Sequence, residues 1–266
     1  MSKFVVIVFD SEAKAYEGTR ALKELHAEGN VTLFSEAVVT KDAAGKLSVK
    51  DMVDQGPLGT AVGGLVGGLV GLLGGPAGAV VGIASGMVIG SIGDLLDIGV
   101  GTDFVDKVSH TLAPGKTAVI AEVEEDWVTP LNTRIETIGG TIVREVRSDF
   151  EDEQIAKEAA ARKAELQQLK AEWAQSSAEA KTKLQAQINE VKAKLGTLSS
   201  EVETRLKKLE ADTSAKVASV NDQIAKAKAD NKARIEKRLA EVRADHDRRA
   251  AKLKQAGELV KEALAP

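Results

Sequence analysis

The side chains equipped for chemistry are few and scattered along the chain. His26, His110 and His246 are the only imidazoles. None has a second imidazole or a thiol one helical turn away to complete a metal site. His246 sits between Asp245 and Asp247 and reads as a polar point in a helical seam. Glu122, Glu124, Glu125 and Asp126 crowd the end of a strand and read as a solvated turn, not a cation site. Gly74-Gly-Pro-Ala-Gly lacks the Lys-Ser/Thr pair that lets a glycine-rich loop hold phosphates. Ser85 and Ser91 have no base close in sequence. With no cysteine at all, thiolate nucleophiles, thiolate zinc sites and disulfides are excluded. No catalytic, cofactor-binding or metal residue is assigned, and the expectation is a protein that is not an enzyme.

What the sequence does carry is a mechanical pattern. From Gln55 to Gly93 there is no charged residue, and 14 of the 24 glycines fall in that stretch. They recur every four positions: Gly59, Gly63, Gly67 and Gly71, then Gly78, Gly82, Gly86 and Gly90. Spacing of four puts them on one helix face, where backbones can approach closely. Each costs an isolated helix about 0.8–1 kcal/mol against alanine, so the segment needs close packing or an apolar medium. Gly74-Gly75-Pro76 supplies a turn, with Pro76 suited to a first helical position. The arms, about 26 Å each at 1.5 Å per residue, barely match a hydrocarbon core of about 30 Å. Two readings stay open: a hairpin inserted in a lipid bilayer, or hairpins of several copies packed into a protein-only core. Asp51, Asp54, Asp94 and Asp97 flank the segment, where basic residues are expected beside a cytoplasmic membrane face.

Around this insertion a split domain is legible. Phe4 to Phe9 is an apolar, β-branched run that reads as a buried strand. Ser11 caps a helix that runs to about Glu28, where Gly29-Asn30 stop it. Val31 to Thr40 reads as a strand, followed by a turn from Lys41 to Lys46. Beyond residue 100 come a helix (Thr102 to Leu112), a strand (Thr117 to Val123), a helix ending near Ile138 at Gly139-Gly140, and a strand (Thr141 to Val146). Residues 1–54 with 99–148 thus predict a four-stranded, ferredoxin-like α+β domain, and 55–98 the inserted glycine-zipper hairpin. So small a sheet is expected to leave a face open for a partner.

The split domain, its GxxxG insertion and the segment Gly101-Thr-Asp-Phe-Val, Leu112-Ala-Pro-Gly-Lys and Ala118-Val-Ile resemble the bacterial domain of unknown function 1269 family. The resemblance spans about residues 1–148. Its members are described as membrane proteins, which implies a bilayer partner for the hairpin; it implies no activity and no site residues.

Residues 149–266 form the third part. No proline occurs from Asp149 to Leu264, and Ala, Glu, Lys, Gln and Leu dominate, which favours helix throughout. An eleven-residue repeat runs through Val202, Leu206 and Leu209; Val217 and Val220; Ile224; Ile235, Leu239 and Val242; and Leu253. Thr213, Lys228 and Asn231 interrupt its apolar stripe. Eleven residues in three turns favour a straight, coiled-coil-like rod, about 170 Å long if unbroken. A capping box at Ser200-Glu201-Val202-Glu203 could open a new helix after Gly196; the repeat keeps its phase there, so one rod is expected.

Net charge is −8 over residues 1–150 and +4 over the remainder, with basic and acidic residues interleaved in the tail. That argues against nucleic acid as a partner. The N-terminal apolar run is too short for a secretion signal, so a place at the cytoplasmic face of the inner membrane is expected. The combined expectation is a self-assembling scaffold, a high-order homo-oligomer in a ring, cage or tube, associated with lipid through the hairpin. The alternative is an adaptor whose tail binds a coiled-coil protein or a bilayer surface.

Overall fold

The computed structural model describes residues 2–54, 73, 101–146 and 150–265. Two compact units result: Met1–Ser148 with Ala211–Asp245, and Asp149–Glu210 with His246–Pro266.

The first unit is α+β. Its strands are β1 (Lys3–Phe9), β2 (Val31–Lys41), β3 (Leu47–Asp54), β4 (Thr117–Glu125) and β5 (Thr141–Val146), and its first three helices are α1 (Glu12–Ala27), α2 (Thr102–Thr111) and α3 (Thr129–Ile138). The strands lie in the order β3-β2-β4-β1-β5, and every neighbouring pair is antiparallel. Five strands stand where the sequence predicts four. The residues expected to be a turn lead into β3, an edge strand whose Lys50, Asp51 and Asp54 break the apolar pattern by which strands are recognised.

Ser11 caps α1 by accepting the Lys14 amide at 3.4 Å. α1 and α3 cover one sheet face: Ala15, Leu22, Leu25, Leu131 and Ile135 pack on Val5, Ile7, Phe9, Val119 and Ala121. The Phe9 ring lies between Gly18 and Gly140, where an added Cβ would come within 2.5 and 2.6 Å of ring atoms. On the opposite face, α2 brings Phe104, Val108 and Leu112 onto Phe4, Val6, Val8, Ile120 and Leu47. Leu73 is partly buried against that same core.

The tail is helical, but it is not one rod. It comprises α4 (Phe150–Gln175), α5 (Ala178–Lys226) and α6 (Ala229–Leu264), interrupted after Gln175 and at 227–228. The helix does run unbroken through Gly196 and Ser200, where the repeat keeps its phase. Connections of two residues reverse the chain, so the apolar stripe is consumed within one molecule. In the second unit, α4, the start of α5 and the end of α6 form an antiparallel bundle around Ile155, Leu166, Val191, Leu195, Leu253 and Val260. Asp152 pairs with Arg249, Glu153 with Lys252 and Lys163 with Glu262; these offsets of nearly constant length make α4 and α6 parallel. Asp152 is fully buried and accepts from both Arg205 and Arg249.

In the first unit, residues 211–245 are the end of α5 and the start of α6. They form a helical tip around Ala215, Val220, Ile235 and Val242, with Phe34 of β2 in the same cluster. The sheet face that the sequence leaves open is therefore covered by α2 and by the chain's own tail.

Candidate functional site

The most built-up polar site of the first unit lies where this tip meets the α1–β2 turn. α1 ends in a left-handed glycine, Gly29 (φ +71°), and the turn is closed by Gly29 N–H to His26 O and Asn30 N–H to Leu25 O. Helix C-termini leave carbonyls without intrahelical donors. Here the tail supplies them. Gln223 Nε2 donates to His26 O at 2.6 Å and to Val31 O at 2.8 Å, Asn231 Nδ2 to Glu28 O at 2.6 Å, and Arg238 Nη2 to Asn30 O at 2.9 Å. Thr32 completes the set, donating to Gln223 Oε1 at 2.6 Å and accepting from Arg238 Nη1 at 3.3 Å. Gly29 lies directly beneath: a Cβ there would stand 3.1 Å from Asn231 Cβ and from Ile235 Cδ1. His26 joins the same turn to the sheet, its Nδ1 accepting the Leu33 amide at 3.1 Å. Burial holds its pKa below the usual histidine value, since desolvation penalises the charged ring.

A second contact sits further up β4. The ladder skips Phe34 between Leu33 and Ser35, and such a bulge re-aims a side chain. Phe34 turns into the tip, with Lys216 Nζ 5.3 Å from its ring centre. Lys216 also pairs with Glu122 and with Asp212. The expected solvated acidic turn is thus corrected: Glu122, Glu124 and Glu125 are buried, lying on a strand that is interior on both faces. Glu125 binds Lys3 and Arg144, and Asp126 binds Arg238. Desolvation raises the pKa of Glu124, against a lowering by Lys216. Glu36 is raised for the same reason, although Lys23 lies 2.7 Å away.

One cross-strand row links these contacts to the insertion. Asp54, Ser35, Glu122, Phe4 and Glu145 are successive partners across all five strands. β3 ends at Asp54 on one sheet edge. The chain re-enters at Gly101, the N-cap of α2, whose Cβ position is 3.7 Å from Glu145 Oε1 at the opposite edge. Four strand spacings separate these edges, about 19 Å.

A shallow groove of about 750 Å³ opens beside the turn, lined by Leu25, Glu28, Trp127, Pro130 and Arg134 among others. Trp127 is 52% exposed, and the Arg234 guanidinium of the tip lies 5.4 Å from its ring centre. Arg134 is engaged by Glu24 and Glu28.

The residues singled out from sequence fall into three groups. The ladder glycines Gly59, Gly63, Gly67, Gly71, Gly78, Gly82, Gly86 and Gly90, like Ser85 and Ser91, lie outside the described residues. All ten seam residues pack within the chain: Val202, Leu206, Leu209 and Leu253 in the bundle, and Val217, Val220, Ile224, Ile235, Leu239 and Val242 in the tip. His110 is exposed, and His246 pairs with Asp247 at 3.1 Å. Lys216, Gln223 and Arg238 escape sequence reasoning, yet each precedes a seam residue by one position. The seam faces the partner helix, and its neighbour, turned 100° away, faces the sheet. Asn231 did leave a signal, as a polar break in the stripe.

Among the described residues, no group of three or more His, Cys, Asp or Glu is arranged to hold a metal ion, and no helix is long and apolar enough to cross a membrane. Residues 60–160 match the family model described as Protein of unknown function (DUF1269). No curated protein and no solved structure matches the chain.

Proposed function

Because residues 60–160 belong to this family of unknown function, no activity is inherited, and we propose from sequence and geometry together that the protein is a self-assembling scaffold. Its assembly element is the uncharged glycine-ladder segment. The observation that carries this is the mounting of that segment. Its flanks, Asp54 and Gly101, lie at the two edges of one cross-strand row, held by a sheet covered on both faces. The two flanks of the segment thus lie at the same end of the sheet. The tail, whose seam is satisfied internally, acts as a brace; association between copies falls to the glycine faces. The contact of Leu73 with the domain core favours glycine segments packed by protein. The uncharged run from Gln55 to Gly93 favours lipid.

The test is detergent-free fractionation of the full chain with mass measurement, beside a variant carrying leucine at Gly63, Gly67, Gly82 and Gly86. Large particles in the aqueous fraction, lost in the variant, support protein-packed assembly. Recovery with membranes, with oligomers lost in the variant, supports assembly in the bilayer. A wild-type monomer in the aqueous fraction overturns the scaffold and leaves the adaptor reading.

A further inference from the structure

Beyond assembly, one residue of the α1–β2 turn contacts both β2 and the tail tip. We propose that His26 is a proton-operated latch: its neutral ring and its carbonyl together tie β2 and the tail tip to the α1–β2 turn, and protonation releases the tip. The inference is independent of what the glycine segment does.

The geometry makes the two ends of one residue serve two elements. Nδ1 of His26 accepts the Leu33 amide at 3.1 Å, which fixes the proton of the neutral ring on Nε2. The His26 carbonyl accepts Gln223 Nε2 at 2.6 Å, and the same amide group reaches Val31 O at 2.8 Å. An imidazolium has no acceptor nitrogen. On protonation the Leu33 amide loses its partner, and the ring must turn away from it. Leu33 directly precedes the bulged Phe34, which lies in the core of the tip. Displacement at this point disturbs both the carbonyls that Gln223 reads and the side chain on which the tip packs.

The charges facing the ring are Asp222 and Lys226 on α5 and Arg238 on α6. Asp222 favours the protonated ring, whereas Lys226 and Arg238 oppose it. The new positive charge thus meets one anion, Asp222, and two cations, Lys226 and Arg238, which are themselves paired with Asp222 and Asp126.

Trp127 reports the event, because Arg234 of the tip lies over its ring. In the full chain with Trp173→Phe, Trp127 is the sole tryptophan. Its emission is followed from about pH 8 to about pH 5, together with hydrogen exchange of peptides covering 211–245, corrected for intrinsic rates. The expected result is a joint loss of protection and change of emission, with a midpoint below the ordinary histidine value of about 6.5. His26→Gln removes that transition. Asp222→Asn moves the midpoint to lower pH and Lys226→Gln moves it to higher pH; both side chains are largely exposed, so these variants keep the fold even if His26→Gln does not. A tip that stays protected throughout, or an unchanged midpoint in all three variants, overturns the latch. The second result would assign the acid response to groups other than His26.

Discussion

Arg238 holds Asp126 through both Nε and Nη2, at 3.2 and 2.8 Å, with none of its own surface exposed to water. Such a pair contributes less than its Coulomb attraction, because Arg238 is dehydrated to make it. Breaking it from one side is costly, because it leaves the partner unpaired. Arg238→Met also strips the donors from Asn30 O and Thr32 Oγ1. The expected loss is about 3 kcal/mol, read by thermal or denaturant unfolding. Added hydrogen exchange should concentrate in residues 211–245.

Gly29→Ala combines two penalties at one position. A φ of +71° costs an L side chain about 1–2 kcal/mol, and the new methyl must displace Asn231 or Ile235 from 3.1 Å. The expected outcome is a lower melting temperature with faster exchange in the tip. Gly45→Ala is the control, since it shares a positive φ but meets nothing within 4 Å; it should show the backbone penalty alone.

Phe34→Ala removes a ring that is 1% exposed and sits among helical side chains. A loss of about 3–5 kcal/mol is expected, measured by denaturant unfolding. Phe34→Leu should recover most of it, because the bulge still aims an apolar group at Val220 and Ile235.

Within the bundle, Asp152→Asn leaves Arg205 and Arg249, both nearly buried, without the carboxylate they share. The expected cost is about 3–5 kcal/mol, seen as earlier melting of helical circular dichroism.

The pH dependence has two opposing parts. His26 is held below its unfolded pKa, so the unfolded chain binds the extra proton first. Its contribution is complete above about 6.5 and is lost as pH falls through the folded value. Glu36 is raised by burial, so the folded chain binds the proton first, and stability falls as pH climbs from the unfolded carboxylate value through the folded one. Glu36→Gln should therefore raise the melting temperature at neutral pH and remove the gain in stability on acidification through the carboxylate range, whereas His26→Gln should flatten the profile just below neutrality. Melting curves across the range check both signs.

Local chemistry determined much of this protein in the sequence itself. The strand at Phe4–Phe9, the stop at Gly29 and the helix end at Gly139 follow from β-branched runs and from glycines able to adopt positive φ, and all depend on near neighbours. The helical character of 150–264 is likewise a sum of single-residue propensities. The eleven-residue stripe marks which residues are apolar and seam-forming, but a stripe can be covered equally by another copy or by the same chain. Only the tertiary structure decided that. The reversals at Ser176–Ser177 and at 227–228 carry neither glycine nor proline, whereas Gly196, the apparent weak point, lies within an unbroken helix. The edge strand β3 is likewise held by pairing with β2, not by its own pattern. The tip's polar contacts join residues about 200 positions apart, such as Gln223 with Val31 and Arg238 with Asn30. No local preference encodes a hydrogen bond whose acceptor is a backbone carbonyl of a distant turn; it exists only once folding has left that carbonyl exposed and brought the donor to it.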